Sequence, residues 1–243
     1  MSLTRSRLRD NPSRTPDAPT VFVVDADASV RGALDPLIRS AGWRPSLAAS
    51  AEEFLERPPV LAPSCLLTEL RLPGLSGLEL QRHIAERTEI PVIFMSEHIE
   101  VHSAVCAMKA GAVEVLTKPL ATDVLMTAIQ HAIERSRAAL HHLMQIRMLQ
   151  ERYALLSDRE REVMGLVVSG RLNKQVSGEL GITEFTVKAH RGRMMRKMQA
   201  GSFAELVTMV GSLRRWTGAM PASIDLRTEP RMANSIFANV LSS

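Results

Sequence analysis

The sequence predicts an α/β domain built on a five-stranded, doubly wound parallel sheet, followed by a long helix and an all-helical domain. Three observations carry this. Short apolar runs alternate with amphipathic stretches over residues 20–135, the pattern of βαβ units around a parallel sheet. From Thr122 to about Leu156 the chain favours helix throughout, without Pro or Gly. Charge also divides: Val21–Asp123 holds 9 basic and 14 acidic side chains, whereas Ser157–Thr217 holds 11 basic and 6 acidic. An acidic half joined to a basic one points the basic half at a polyanion, or else records two solvated surfaces of opposite sign.

The elements follow in order. Residues 1–19 are polar, Pro- and Arg-rich and aperiodic, and read as a disordered arm. The first strand is Val21–Val24, ending at Asp25, and a helix runs from Ser29 to Ala41. A weak second strand at Pro45–Ala48 precedes a short helix at Ala51–Glu56. The third strand, Cys65–Thr68, leads through a Leu72-Pro73-Gly74 turn to a helix at Gly77–Glu86. Strands at Pro91–Met95 and Val113–Leu116 bracket a helix at Val101–Ala110. The domain spans 20–137, and a helical linker spans 138–156. In that linker, apolar residues including Leu140 and Leu143 recur at spacings of three, four and seven. They form either a dimer coiled coil or a helix packed on its own domain. Four short helices then occupy Ser157–Leu213 within a domain spanning 157–217. Ser157 with Glu160 has capping-box spacing, Asn173 and Thr183 are further N-cap candidates, and Gly170 and Gly181 end helices. Residues 218–243 read as a tail.

Composition excludes several classes. No apolar run reaches the roughly 18 residues of a membrane span, and no secretory leader is recognisable. Two cysteines, Cys65 and Cys106, make no disulfide framework, and no Cys/His spacing matches a zinc site. The expectation is a reduced, cytoplasmic protein with buried, inert thiols. No nucleophile–base pair or Gly-rich phosphate loop is present, so an enzyme is not expected.

In an open parallel sheet, chemistry gathers at the carboxyl ends of the strands. Those ends carry Asp25 and Asp27, Glu69, Ser96 and Lys118-Pro119. With the segments VFVVDADASVR, LLTELRLPGLSGLEL, IPVIFMSEH and KAGAVEVLTKP, this set resembles the flavodoxin-like (CheY-like) receiver domain of bacterial two-component response regulators. The resemblance implies a phospho-accepting aspartate after the third strand, Mg²⁺ held by that residue and an acidic pair, and a hydroxyl and a lysine on the phosphoryl oxygens. Ser96 and Lys118 match. The acceptor position, however, is Glu69, and the acidic pair reads Asp25-Ala26, with Asp27 one residue on. Glu69 is one methylene longer than aspartate, so its carboxylate is expected where a phosphoryl group would sit, paired with Lys118 and Ser96. With one hard oxygen ligand gone and the nucleophile displaced, neither Mg²⁺ binding nor phosphoryl transfer is expected. The domain then either mimics the activated state through Glu69 or serves as a dimerisation and docking scaffold.

The segment LSDREREVMGLVVSGRLNKQVSGELGITEFTVKAHRGRMMRKM resembles the helix-turn-helix output domain of the LuxR/NarL/FixJ type. By that resemblance 173–180 is the first helix of the motif and 184–199 the recognition helix, entering the major groove of double-stranded DNA. Val187, Met194 and Met198 share an inward stripe, while Phe185, Lys188, Ala189, Gly192, Arg193 and Arg196 share the opposite face. Lys188 and Arg193 are the leading base readers. Lys174, Thr183, Thr186, His190, Arg191 and Lys197 are expected on phosphates. Phe185 stands where relatives often carry lysine, and either meets a thymine methyl or weakens phosphate binding.

The expected function is a DNA-binding transcription regulator with a phosphorylation-independent receiver, acting as a homodimer. The resemblance places the usual dimer face on Val101, Val105, Lys109, Glu114 and Asp123. Two other readings are a receiver that still autophosphorylates through Glu69 or Asp27 with Mg²⁺, and a module docked by a sensor kinase or other sensor protein.

Overall fold

The computed structural model describes residues 18–216 of the 243-residue chain. The expected tail at 218–243 and nearly all of the expected arm at 1–19 lie outside the described residues. The first part alternates β1 (Thr20–Val24), α1 (Ala28–Ser40), β2 (Arg44–Ala48), α2 (Ala51–Leu55), β3 (Ser64–Glu69), α3 (Gly77–His83), β4 (Val92–Ser96), α4 (Val101–Lys109) and β5 (Glu114–Thr117). The strands are parallel in the order β2-β1-β3-β4-β5.

Both faces of the sheet are covered, which is why the strands read as unbroken apolar runs. Side chains alternate between two cores with the period of two that a strand imposes. Phe22, Val24, Leu66, Val92 and Phe94 pack with α2 and α3, where Phe22 meets the Phe54 ring edge-on at 5.1 Å. Val21, Val23, Cys65, Leu67, Ile93 and Met95 pack with Leu34 and Ile38 of α1 and with α5 (Thr122–Ala154). Burial pushes the Cys65 thiol up to about 12, so it is a core side chain rather than a nucleophile.

Helix α5 is anchored through Ser136. Its buried hydroxyl accepts the Ser64 N–H at 2.8 Å and donates to the Glu89 carbonyl, tying the helix to the amino end of β3 and the loop before β4. Helix α3 stops at His83, three residues short of the expected end, because the chain turns at Ile84. Compact units divide at Leu140 and His141, within the unbroken α5.

The second unit holds α6 (Asp158–Val168), α7 (Asn173–Leu180), α8 (Glu184–Met198) and α9 (Phe203–Trp216) around Val163, Met164, Val167, Val176, Val187, Met194, Met198, Leu206 and Val210. The Ser157/Glu160 capping box forms in full. Thr183 caps α8 by accepting the Thr186 N–H at 3.1 Å. Asn173 is a correction. The cap position of α7 is Leu172, whose N–H is met by Gln175, and Asn173 is the first helical residue. Gly181 closes α7 with φ 65°, the left-handed conformation that favours glycine.

Gly77 lies under the end of β3. A Cβ there would stand 2.2 Å from the Glu69 carbonyl oxygen and 3.1 Å from the Phe94 ring. Gly77→Ala is therefore expected to destabilise the α/β domain by about 1–3 kcal/mol, read as a lowered urea midpoint of the full chain. An unchanged midpoint would contradict this close approach.

Candidate functional site

Parallel order carries Asp25, Glu69, Ser96 and Lys118 to one edge of the sheet, beside the β1/β3 pair where the strand order reverses. Lys118, next to a cis Pro119, is the hub of this edge. Its Nζ lies 2.7 Å from Asp25 Oδ2 and 2.7 Å from Glu69 Oε2. All three side chains are largely buried. Burial works against the Lys118 charge, but the hydrogen bonds and charges of Asp25 and Glu69 outweigh it and hold its pKa above the ordinary lysine value.

The remaining oxygens are also engaged. Glu69 Oε1 accepts the backbone N–H groups of Leu70 at 2.9 Å and Arg71 at 3.3 Å. Asp25 Oδ1 accepts the Asp27 N–H at 2.9 Å. Arg31, which sequence reasoning did not single out, donates to the Asp25 carbonyl at 2.6 Å and the Ala26 carbonyl at 3.0 Å, pinning the loop after β1. Its partners are backbone carbonyls five and six residues earlier, which no side-chain spacing announces.

One expectation needs correction. Ser96 reaches this edge but does not bond Glu69. Its hydroxyl donates to the His98 carbonyl at 3.2 Å, a local closure that competes with the longer reach. Asp27 does not bond Lys118 either. It caps α1 by accepting the Ser29 N–H at 2.7 Å, and that hydrogen bond holds its exposed carboxyl below the ordinary aspartate value.

The second site is α8. Lys188, Arg193 and Arg196 are exposed and have no hydrogen-bond or ion-pair partner among the described residues. Phe185 is 82% exposed, Gly192 is exposed and Ala189 half-buried. Lys174 and Thr183 are exposed, and Thr186 shares a 2.9 Å hydroxyl contact with Thr183. His190 is half-buried, with Nδ1 covered. Two residues expected on phosphates have partners inside the domain. Arg191 donates to Asn173 Oδ1 at 2.7 Å and stacks 5.4 Å from the Phe203 ring centre. Lys197 Nζ lies 2.6 Å from Glu160 Oε2, and Glu160 is only 2% exposed. The capping-box spacing had marked Glu160 for a local role only. Its lysine is 37 residues away, and nothing local announces it.

Of the expected dimer residues, Val101 (79% exposed), Val105, Lys109, Glu114 and Asp123 are all exposed. Leu140 is only 8% exposed and Leu143 half-buried, so Leu140 is covered within the chain, and the exposed large apolar side chains of that stretch are Met144, Met148 and Leu155.

A model of the response regulator receiver domain matches residues 21–130, and one of the luxR family of bacterial regulatory proteins matches 154–210. Nodulation protein W of Bradyrhizobium diazoefficiens is 42% identical over 194 residues, covering 79% of this chain and 86% of its own. The chain is a two-component response regulator of the FixJ/NarL type. The response regulator protein TodT of Pseudomonas putida is 39% identical over 198 residues, covering 81% of this response regulator and 87% of its own chain. The solved structure of response regulator StyR superposes with a TM-score of 0.69 at 39% identity, covering 80% of this chain and 98% of that one. The family has a LuxR-type DNA-binding domain and a sensor kinase as partner; it regulates transcription and is not typically enzymatic. No helix among the described residues is long and apolar enough to cross a membrane.

The Mg²⁺ that receivers of this family employ does not fit these donors. Asp25 and Glu69 each give an oxygen to an ammonium ion, the second acidic position is Ala26, and Asp27 is turned onto α1. An octahedral cation needs hard oxygen ligands that are free to converge.

Removing the lysine would leave two carboxylates buried together. Lys118→Met is expected to cost about 3–5 kcal/mol, measured by urea unfolding of the full chain; a loss below about 1 kcal/mol would mean the pair is solvated like a surface bridge. At Glu160, burial opposes the charge, but the Lys197 ammonium and the Ser157 N–H outweigh it and hold the carboxyl below the ordinary glutamate value of 4.5. A depressed folded pKa lends stability above that unfolded value, and the stability is lost as pH falls through the folded one. The melting-temperature gap between wild type and Glu160→Gln should be open at about pH 7 and narrow as pH falls below the ordinary glutamate value of 4.5; a gap independent of pH would exclude the ion pair as its source.

Proposed function

We propose that this transcription regulator acts without aspartyl phosphorylation, its receiver held in one charge state by Lys118 between Asp25 and Glu69. The single observation that carries the reading is the pair of 2.7 Å contacts from one ammonium to both carboxylates. In this reading the Glu69 carboxylate stands in for a phosphoryl group: it supplies negative charge to Lys118 from one methylene further out than an aspartate would. Ala26 supports it by supplying no metal ligand.

The regulator works as a homodimer through the exposed face of α4, β5 and the start of α5, where Val101 and Val105 stand in solvent beside Lys109, Glu114 and Asp123. A two-fold dimer would bring two copies of α8 to two half-sites of roughly palindromic DNA. Lys188 and Arg193 read bases, and Lys174, Thr183, Thr186 and Arg196 position the backbone. The residues reach from an arm at 1–19 through a receiver at 20–137 and a linker at 138–156 to the DNA-binding domain at 157–217 and a tail.

Incubation with acetyl phosphate and Mg²⁺ is expected to leave the intact mass unchanged, and light scattering of untreated protein at micromolar concentration to give a dimer. A mass increase of one phosphoryl group would refute phosphorylation independence, and a monomer would refute the constitutive dimer. Glu69→Gln removes the negative charge while keeping the shape, and is expected to lower dimerisation or DNA affinity; unchanged values would leave Glu69 inert.

A further inference from the structure

Phe185 is the most exposed large apolar side chain among the described residues. The core of its domain is completed without it, since Val187, Met194 and Met198 fill the inward stripe of α8. The Thr183 cap fixes the start of the helix, so Phe185 stands in its first turn. In a helix-turn-helix, the amino-terminal residues of the recognition helix are the ones that reach base edges. One and two turns further along the same stripe come Ala189 and Gly192, and a Cβ added at Gly192 would meet nothing within 4 Å. The exposed cations Lys188 and Arg193 flank the stripe. The outcome is a low apolar track with a phenyl ring at its head and a cation on either side.

A phenyl ring has no hydrogen-bond donor and no charge, so it gains nothing from a phosphate and cannot pair with the polar atoms of a base edge. The major groove holds one apolar group, the C5 methyl of thymine. We infer that Phe185 packs against that methyl and imposes a thymine at one fixed position of each half-site. This inference rests on α8 being the recognition helix and deepens it by naming a base. Lys188 and Arg193 then supply the hydrogen bonds to neighbouring guanines that hold the ring in register.

The test uses the full chain and two pools of random-sequence duplex, one containing thymine and one containing uracil throughout, so that only the methyl differs. Wild type is expected to enrich sites with an invariant thymine in the first pool and to lose preference at that position in the second. Binding to one selected duplex should weaken about fourfold when that thymine becomes uracil, the worth of one methyl group removed from water. Phe185→Ala, exposed and outside the core, should keep the flanking preferences and lose the thymine in both pools. A thymine preference that survives in Phe185→Ala, or in the uracil pool, would overturn the inference, as would a wild-type site with no thymine. Enrichment of no sequence by wild type would instead overturn the reading of α8 as the recognition helix, and the inference with it.

Discussion

Parallel strands deliver all their carboxyl ends to one edge, so acids that end β1 and β3 are forced together in partial burial. Asp25 and Glu69 meet there, and their repulsion would be severe without a cation. Lys118 supplies it from the end of β5, 93 residues from Asp25 in the chain. Around this pair, Arg31 holds the loop after β1, the Glu69 carboxylate takes the N–H groups of the turn that follows it, and Gly77 approaches beneath the Glu69 carbonyl. Because the partners come from strands at the centre and edge of the sheet, the ion pair also reports whether the whole α/β domain is assembled.

The helical domain repeats the device on a smaller scale. Glu160 is a capping residue for α6 and, at the same time, the buried partner of Lys197 from α8. A single carboxylate thus fixes both where one helix starts and where another packs. Arg191 does comparable work between α7 and α9, reaching Asn173 on one side and the Phe203 ring on the other. Both cations face inward from the helix that also carries the exposed Lys188, Arg193 and Arg196.

Much of this was legible in the residues because it follows from local periodicity. The five strands lie within one or two residues of the apolar runs, and the strand ends alone bring Asp25, Glu69, Ser96 and Lys118 to one edge. The stripe Val187, Met194, Met198 is equally plain from helical spacing. What sequence could not reveal is competition among partners. Ser96 had a carbonyl two residues on within reach, and Asp27 had an orphan N–H of α1 beside it. Local groups win because they close short loops at little entropic cost. Conversely, Glu160 with Lys197 and Ser64 with Ser136 are long-range pairs with no periodic trace, visible only once the helices are packed.

The inward ion pair of Lys197 bears on how DNA binding responds to salt. Of five cations on α8, Lys197 is neutralised by Glu160 and Arg191 has its fork occupied. With Lys188 and Arg193 turned to base edges on the proposed DNA face, Arg196 is the cation of α8 left to displace condensed counterions from phosphates. At about 0.9 in the logarithmic salt slope per phosphate, this helix contributes about 0.9 rather than the roughly 4.5 that five phosphate-bound cations would give. Attachment would therefore survive a rise in salt concentration better than the formal charge of the helix implies.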